Sequence, residues 1–330
     1  MTECRVRLSI CIPAYNYGAF IGAAIESVLD QIDCGTEIVV LDSGSTDQTR
    51  TVIEVLAASH SCVRYFHQTE RGGIDRDLAR SVELAAGEYC WLLSADDALR
   101  KGALRRIRQE MEDGIDLLLC NRVWCDADLK SMRPHQWLKG GDSDRTIDFT
   151  RDTEAVRYLE DARSLGALFS FMSCIGFRRE AWLRAKADVS LIGTNYAHVQ
   201  RLFSMARSGA RFKYVAAPLV LCRGGSDSFR SGGLAGRLLI DLRGYLELSK
   251  AIFPENAALQ YTFREVLKRE HPWQRWVRAR SETKDVGVWS EVERMLGIYG
   301  IGPIQRRVIS VLGLVLGMAR DLSPFADQAS

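Results

Sequence analysis

Residues 37–47 read Glu37-Ile38-Val39-Val40-Leu41-Asp42-Ser43-Gly44-Ser45-Thr46-Asp47. An unbroken apolar run of this length is the pattern of a strand buried on both faces, and it stops at a carboxylate. Gly44 lets the chain turn tightly behind Asp42. Ser45 or Thr46 is placed to cap a helix carrying Val52, Ile53, Val55 and Leu56. Upstream, Leu8 to Ile12 is another buried-strand pattern, halted at Pro13-Ala14-Tyr15-Asn16. Phe20 to Gln31 then sets Ile21, Ala24, Ile25, Val28 and Leu29 on one helical face. Downstream, Val63 to Phe66 predicts a third strand and Asp75 to Ala86 a third helix, with Leu78, Val82 and Ala85 facing inward. Tyr89 to Leu93 predicts a fourth strand, running into Ser94-Ala95-Asp96-Asp97. This alternation predicts an α/β fold with a mainly parallel sheet flanked by helices. Ligands of such sheets bind beyond the carboxyl ends of the strands. The clusters at Tyr15-Asn16, Asp42 to Ser45 and Ser94 to Asp97 all fall at those ends.

Beyond residue 100 the texture is less regular. Phe169 to Phe177 and Phe212 to Cys222 predict further strands, the second ending in Arg223-Gly224-Gly225-Ser226. From about residue 230 helical periodicity takes over, so the expected organisation is a catalytic-type domain over 1–228 and a helical C-terminal extension over 229–330. The 330 residues carry 44 Lys+Arg against 42 Asp+Glu, with 47% hydrophobic and 26% charged. That balance argues against a disordered chain and against a general nucleic-acid binder. Nine cysteines occur without a C-x-x-C spacing, so neither zinc nor a disulfide framework is indicated. They read as small buried hydrophobes of a reducing compartment. The N-terminus has no basic, apolar and small-residue succession of a secretory signal, and the expected location is the cytoplasm. The longest apolar run, Val308 to Ala319, falls short of the roughly 17–25 residues that a spanning helix needs.

Three segments carry chemistry. Asp42 is suited to accept a hydrogen bond from a base or ribose, or simply to cap the next helix. The adjacent carboxylates Asp96 and Asp97 suit a hard divalent cation such as Mg²⁺, which uses one or two protein carboxylates with substrate phosphates and water; a plain surface turn would use the same residues. In Arg71-Gly72-Gly73-Ile74-Asp75-Arg76-Asp77, paired glycines before a helix open backbone N–H groups to an anion, and Arg71 or Arg76 suits a diphosphate. Asp75 and Asp77 also fit as first-turn charges favoured by the helix dipole.

In order and spacing, PAYN, DSGSTD and GEYCWLLSADD resemble family 2 glycosyltransferases of the GT-A fold. The later GFRREAW (176–182) and PLVLCRGGSDS (218–228) are similar to family segments too. Within the family, residues 71–97 look most similar to abequosyltransferase-like enzymes of bacterial O-antigen assembly. The resemblance implies a nucleotide-sugar donor and a saccharide acceptor, lipid-linked in that setting. It implies a donor pocket formed by Pro13, Ala14, Tyr15, Asn16, Asp42, Gly73, Arg76, Asp77, Ala95, Arg223 and Ser226. It also implies a divalent cation, Mg²⁺ or Mn²⁺, on Asp96, with Asp97 beside it holding acceptor or sugar, and inversion at the anomeric carbon. Two positions depart from the family strings. Ser94 replaces the first Asp of D-x-D, and Thr194-Asn195 stand where the family has a Glu-Asp pair that supplies a base. His198 follows closely and takes a proton near neutral pH; Asp188, Asp142 and Asp144 are further candidates. Arg264 to Arg280 holds six basic residues with Trp273 and Trp276 among them, a pattern for either a packed helical cap or a helix at the inner-membrane surface.

Two other enzyme classes fit less well. A sugar-nucleotide nucleotidyltransferase would place a glycine-rich basic loop after the first strand, where PAYNYG stands. A Rossmann dehydrogenase would place G-x-G-x-x-G there. A non-catalytic nucleotide-sugar-binding or scaffold protein is the alternative from another class, favoured by Ser94 and the missing Glu-Asp pair.

Overall fold

The computed structural model describes residues 5–225 and 232–321; Ser226 therefore lies outside the described residues. The chain forms two compact units, Met1–Ser226 and Asp227–Ser330.

The first unit runs β1 (Leu8–Ala14), α1 (Ile21–Leu29), β2 (Thr36–Ser43), α2 (Thr49–Ser59), β3 (Val63–Gln68), α3 (Ile74–Leu84), β4 (Tyr89–Leu92), β5 (Ala98–Leu99), α4 (Ala103–Glu112), β6 (Leu117–Cys125), β7 (Ser131–His135), β8 (Arg145–Ile147), α5 (Asp152–Asp161), β9 (Ile175–Arg178), α6 (Arg179–Arg184), α7 (Ala197–Arg207) and β10 (Phe212–Cys222). The strands form one mixed sheet in the order β3-β2-β1-β4-β9-β6-β10-β5, with β7 on β6 and β8 on β10. The alternating N-terminal segment gives the parallel block β3-β2-β1-β4. β9 is antiparallel to both β4 and β6, and β6 pairs parallel with β10. All residues of β1 and β2 are buried, as strands covered on both faces require.

Only part of the predicted strand at Phe169–Phe177 forms. Residues Leu165–Leu168 and Met172–Cys174 are 3₁₀ turns, and the strand is Ile175–Arg178. Phe169 sits at φ +63°, outside the extended region. The run is apolar because it is buried, and burial alone does not distinguish a turn from a strand.

At the amino end of the parallel block lies a buried polar pin. Ser9 Oγ donates to Glu37 Oε1 at 2.5 Å and accepts from the Gly87 N–H at 2.9 Å, while Arg64 reaches Glu37 Oε2 at 2.6 Å. The pin ties β1, β2, β3 and the entry to β4 at the end opposite the polar loops.

The second unit is helical: α8 (Gly233–Ile252), α9 (Ala257–Glu270), α10 (Trp273–Glu282), α11 (Val286–Ile298) and α12 (Pro303–Asp321). Its core joins Leu238, Leu242, Tyr245 and Leu248 of α8 to Phe263 and Leu267 of α9 and to Trp289, Val292 and Leu296 of α11. A buried hydrogen bond, His271 Nε2 to Asp241 Oδ2 at 2.7 Å, links α8 to the end of α9.

Candidate active site

The three polar tips meet. β1 lies between β2 and β4, all parallel, with Ala14 opposite Asp42 and Cys11 opposite Leu92. Neighbouring strands lie about 4.8 Å apart, so Tyr15, Asp42 and the Ser94–Asp97 turn emerge side by side on one edge.

Hydrogen bonds stitch the first two tips together. The Asn16 N–H donates to Ser45 Oγ at 2.9 Å, and Asn16 Oδ1 accepts from the Thr46 N–H at 2.8 Å. The Tyr17 N–H reaches Thr49 Oγ1 at 2.7 Å and the Gly18 N–H reaches Asp47 Oδ2 at 2.9 Å. Asn16 adopts φ +59°, which asparagine tolerates better than most residues. Asp42 is fully buried. Its Oδ1 accepts from the Ser45 N–H at 2.9 Å and its Oδ2 from Tyr65 Oη at 3.0 Å, with His67 Nδ1 at 3.4 Å. Burial and this carboxylate push the Tyr65 hydroxyl well above the ordinary range.

The segment before α3 closes a second side. The Gly72 N–H donates to Ser43 Oγ at 2.9 Å. Asp77 is buried against Ser43 and Gln68, and burial raises its carboxyl. A Cβ on Gly72 would lie 2.2 Å from Asp77 Oδ1, so any side chain here would have to displace the Asp77 carboxylate. Gly73 stands immediately before α3, with Arg76 exposed on its first turn. The Arg71 guanidinium sits 4.2 Å from the centre of the Tyr15 ring, a cation–π contact.

The acidic turn is the most constrained part. Ser94 Oγ donates to Asp96 Oδ1. Asp97 Oδ2 accepts from Ser173 Oγ at 2.6 Å, and its Oδ1 accepts from the Arg223 N–H at 3.0 Å. Burial, and then the neighbouring Asp96 carboxylate, push the Asp97 carboxyl up to about 7. Arg223 follows β10, donates from Nε to the Asp96 carbonyl at 2.8 Å and lies 4.8 Å from the Phe20 ring centre. Ala14 and Ala95 are buried beneath these groups and Pro13 is buried within β1. The residues named above from 13 to 97 and Arg223 therefore share one edge.

His198 lies in the first turn of α7 and is buried. Its Nε2 is 3.0 Å from the Phe169 carbonyl oxygen. A carbonyl only accepts, so Nε2 carries the hydrogen and Nδ1 keeps the lone pair. That Nδ1 is buried without a hydrogen-bond partner. Burial lowers the imidazole's proton affinity, against the pull of Asp75 and the Phe169 carbonyl.

Several contributors are invisible in sequence. Asp75 does more than complement a helix dipole: its Oδ2 accepts from the Gly193 and Asn195 N–H groups at 2.8 and 3.0 Å, and its Oδ1 from the Ala197 N–H at 3.0 Å. It clamps the loop where the resemblance aligns the family's base. Ser173 bridges Asp97 and the Ser94 N–H, the latter at 2.9 Å. These partners lie 76 or more residues away along the chain, and no local pattern marks them.

A metal needs open oxygen ligands. Among the described residues no three His, Cys, Asp or Glu side chains cluster as a metal cage. Asp97 accepts from Ser173 and the Arg223 N–H and Asp96 from Ser94, and a carboxylate oxygen that accepts a hydrogen bond keeps a second lone pair for a cation. One protein carboxylate with diphosphate oxygens and water is an ordinary Mg²⁺ set, so the residues fit such an ion.

A sheet of this topology with an acidic turn at its carboxyl edge defines a nucleotide-sugar transferase type of site. The glycosyl transferase family 2 model matches residues 9–183, and the chain belongs to that family; it is a glycosyltransferase. It is 35% identical over 272 residues, 81% of either chain, to abequosyltransferase RfbV of Salmonella typhimurium. It is 30% identical over 109 residues, 33% of this chain and 35% of the relative, to the GalNAc(5)-diNAcBac-PP-undecaprenol beta-1,3-glucosyltransferase of Campylobacter jejuni. Among solved structures, S. aureus TarS 1–349 in complex with UDP-GlcNAc superposes with a TM-score of 0.59 at 15% identity, covering 97% of this chain and 91% of that one. The mannosyltransferase PcManGT of Pyrobaculum calidifontis, in complex with GDP-Man and Mn²⁺, gives 0.51 at 17% identity, covering 98% and 88%. Both show the GT-A-type fold, as expected from the sequence.

Proposed function

We propose that the enzyme transfers a sugar from a nucleoside-diphosphate donor to a lipid-linked saccharide at the cytoplasmic face of the inner membrane, in O-antigen-type polysaccharide assembly. The observation that carries this is the convergence of Tyr15, Asp42 and Asp96 on adjacent parallel strands of a family 2 chain. The likeness to an abequosyltransferase over most of the chain supports a deoxyhexose donor, and the named lipid-diphosphate substrate of the Campylobacter relative supports the acceptor class. Residues 1–228 hold the chemistry and 229–330 form the cap or membrane-surface extension.

The base packs against Tyr15 and Asp42, and the diphosphate lies between the Gly72-Gly73 turn, Arg76, Arg223 and Asp96. Asp96 is the residue to hold Mg²⁺ or Mn²⁺, which supplies charge neutralisation to the diphosphate. The acceptor oxygen bonds to the anomeric carbon as the bond from that carbon to the diphosphate breaks. The electron pair leaves on the nucleoside diphosphate, and the acceptor's proton passes to a base. A single displacement of this kind inverts the anomeric centre. Asp97 suits the proton: its affinity near neutrality is what a general base needs. His198 suits a positioning role, its ring N–H held by Phe169 and its helix start tied to Asp75.

The test uses purified enzyme with UDP-, GDP-, CDP- and dTDP-sugars, with and without Mg²⁺ or Mn²⁺. One donor class is expected to bind, and Asp96→Ala is expected to reduce transfer at least 100-fold, the order of a lost electrostatic contact in an active site. Wild-type turnover in that variant would remove Asp96 from the site.

A further inference from the structure

Helix α12 is built inside out for a protein in water. A surface helix normally turns its large apolar residues toward the core. Here the buried side is made of Ile309 and small residues: a Cβ on Gly313 would lie 2.4 Å from Arg280 Cβ, and one on Gly317 would lie 3.0 Å from the Ser281 carbonyl. Ser310 Oγ accepts from Trp289 Nε1 at 2.8 Å. The glycines thus let α12 press its backbone against α10, and Ser310 ties it to α11.

The opposite side carries the bulk. Ile304, Val315 and Met318 are 79%, 60% and 64% exposed, and Val308, Val311, Leu312, Leu314 and Leu316 are exposed with them. Ile304, Val308, Val311, Val315 and Met318 recur at helical spacing, and at 1.5 Å per residue the stripe runs about 21 Å. An exposed apolar face of this extent marks an interaction surface.

The charges select the partner. Helix α12 holds three arginines, Arg306, Arg307 and Arg320, against one acidic residue, its last, Asp321; Arg306 donates to the Glu293 carbonyl at 3.0 Å and Arg320 lies 3.4 Å from Glu282. Arg307 is exposed at the margin of the stripe. On α10, Trp273 is 52% exposed, an amphipathic ring of the kind enriched at bilayer interfaces. No helix among the described residues is long and apolar enough to cross a membrane. An apolar face with the exposed Arg307 at its margin matches an anionic phospholipid surface, with acyl chains for the valines and leucines and a headgroup phosphate for the arginine.

We infer that α12 lies in the interfacial layer of an anionic bilayer with Ile304, Val308, Val311, Val315 and Met318 inserted, anchoring the enzyme without spanning the membrane. This deepens the location proposed above, while its evidence is independent of the transfer reaction. The experiment is co-sedimentation of the full chain with phosphatidylglycerol/phosphatidylethanolamine vesicles and with phosphatidylcholine vesicles. Wild type is expected to pellet with the anionic vesicles, less so at high salt. Val311→Asp with Val315→Asp is expected to lower the bound fraction at least tenfold, with circular dichroism and melting temperature retained because both side chains face outward. Arg307→Glu is expected to weaken binding at low salt only. Equal binding by the double aspartate variant, or no binding by wild type, would overturn the inference. So would a lipid-free dimer, seen by analytical ultracentrifugation, that the same substitutions dissociate, since a second copy would then cover the stripe. The readout needs neither donor nor acceptor, so it stands or falls apart from the enzymatic reading.

Discussion

Asp97 carries the sharpest consequence of the site's electrostatics. A carboxyl pushed up to about 7 by burial and by Asp96 binds its proton more tightly folded than unfolded. Its stabilising contribution is therefore fully present below the unfolded value near 4 and is lost as pH rises toward 7. Asp97→Asn, which keeps an acceptor for the Arg223 N–H, is expected to match wild type near pH 4. It should exceed wild type by up to about 4 kcal/mol at pH 8, a figure set by roughly three pKa units. Urea unfolding of both proteins across that range checks it; parallel curves would reject the shift. The same variant is expected to lose 100-fold or more in kcat, as a missing general base does. Glutamine at position 198 provides the contrast: if His198 positions rather than transfers a proton, His198→Gln lowers kcat modestly and leaves the pH profile's shape intact. At this scale the sequence was legible where a polar tip follows a buried strand. Asp42, Asp96 and Asp97 stand out because each is a carboxylate close behind a buried apolar run. Ser173 did not stand out, since what makes it matter is a partner elsewhere in the chain.

Between elements, the main surprise is the link from α3 to α7. Asp75 starts one helix and ties down the loop that leads into the other, accepting three backbone N–H groups. Asp75→Ala leaves those donors without their acceptor. We expect a cost of about 2–3 kcal/mol, typical of charged hydrogen bonds lost in a largely buried setting. Faster amide exchange at Gly193, Asn195 and Ala197 is expected, with donor binding retained. Unchanged exchange at those amides would show that the loop holds itself. The parallel block was readable from period and alternation, because each of its first three strands is followed by a helix that packs back on the sheet. The segment around Phe169 was not: buried 3₁₀ turns and a short antiparallel strand share one apolar composition, and pairing with β4 and β6 alone decides where the strand begins.

For the whole chain, two compact units predict two unfolding events rather than one. A donor that binds the strand-tip site stabilises the unit that holds it, by about 2.7 kcal/mol at a hundredfold excess over its Kd. Calorimetry with the matching nucleotide sugar is therefore expected to raise one transition and leave the other in place; a single transition that moves as a whole would show the units to be thermodynamically one. The balance of apolar and charged residues announced a folded chain and the change of periodicity near residue 230 announced a helical segment. The outward face of α12 was harder to foresee, because composition does not reveal which side of a helix its neighbours occupy.

The place of β9 also bears on biosynthesis. β4 has β1 on one side and receives β9 on the other, so a nascent polypeptide that has emerged only as far as α5 carries a parallel block whose β4 margin is still unpaired, in addition to the lasting edge at β3. Until Ile175–Arg178 leaves the ribosome that margin is open to pairing with the wrong strand, and β10 arrives later still. Synthesis that stalls with α5 emerged and Ile175–Arg178 not yet emerged is thus expected to raise aggregation by leaving the β4 margin uncovered.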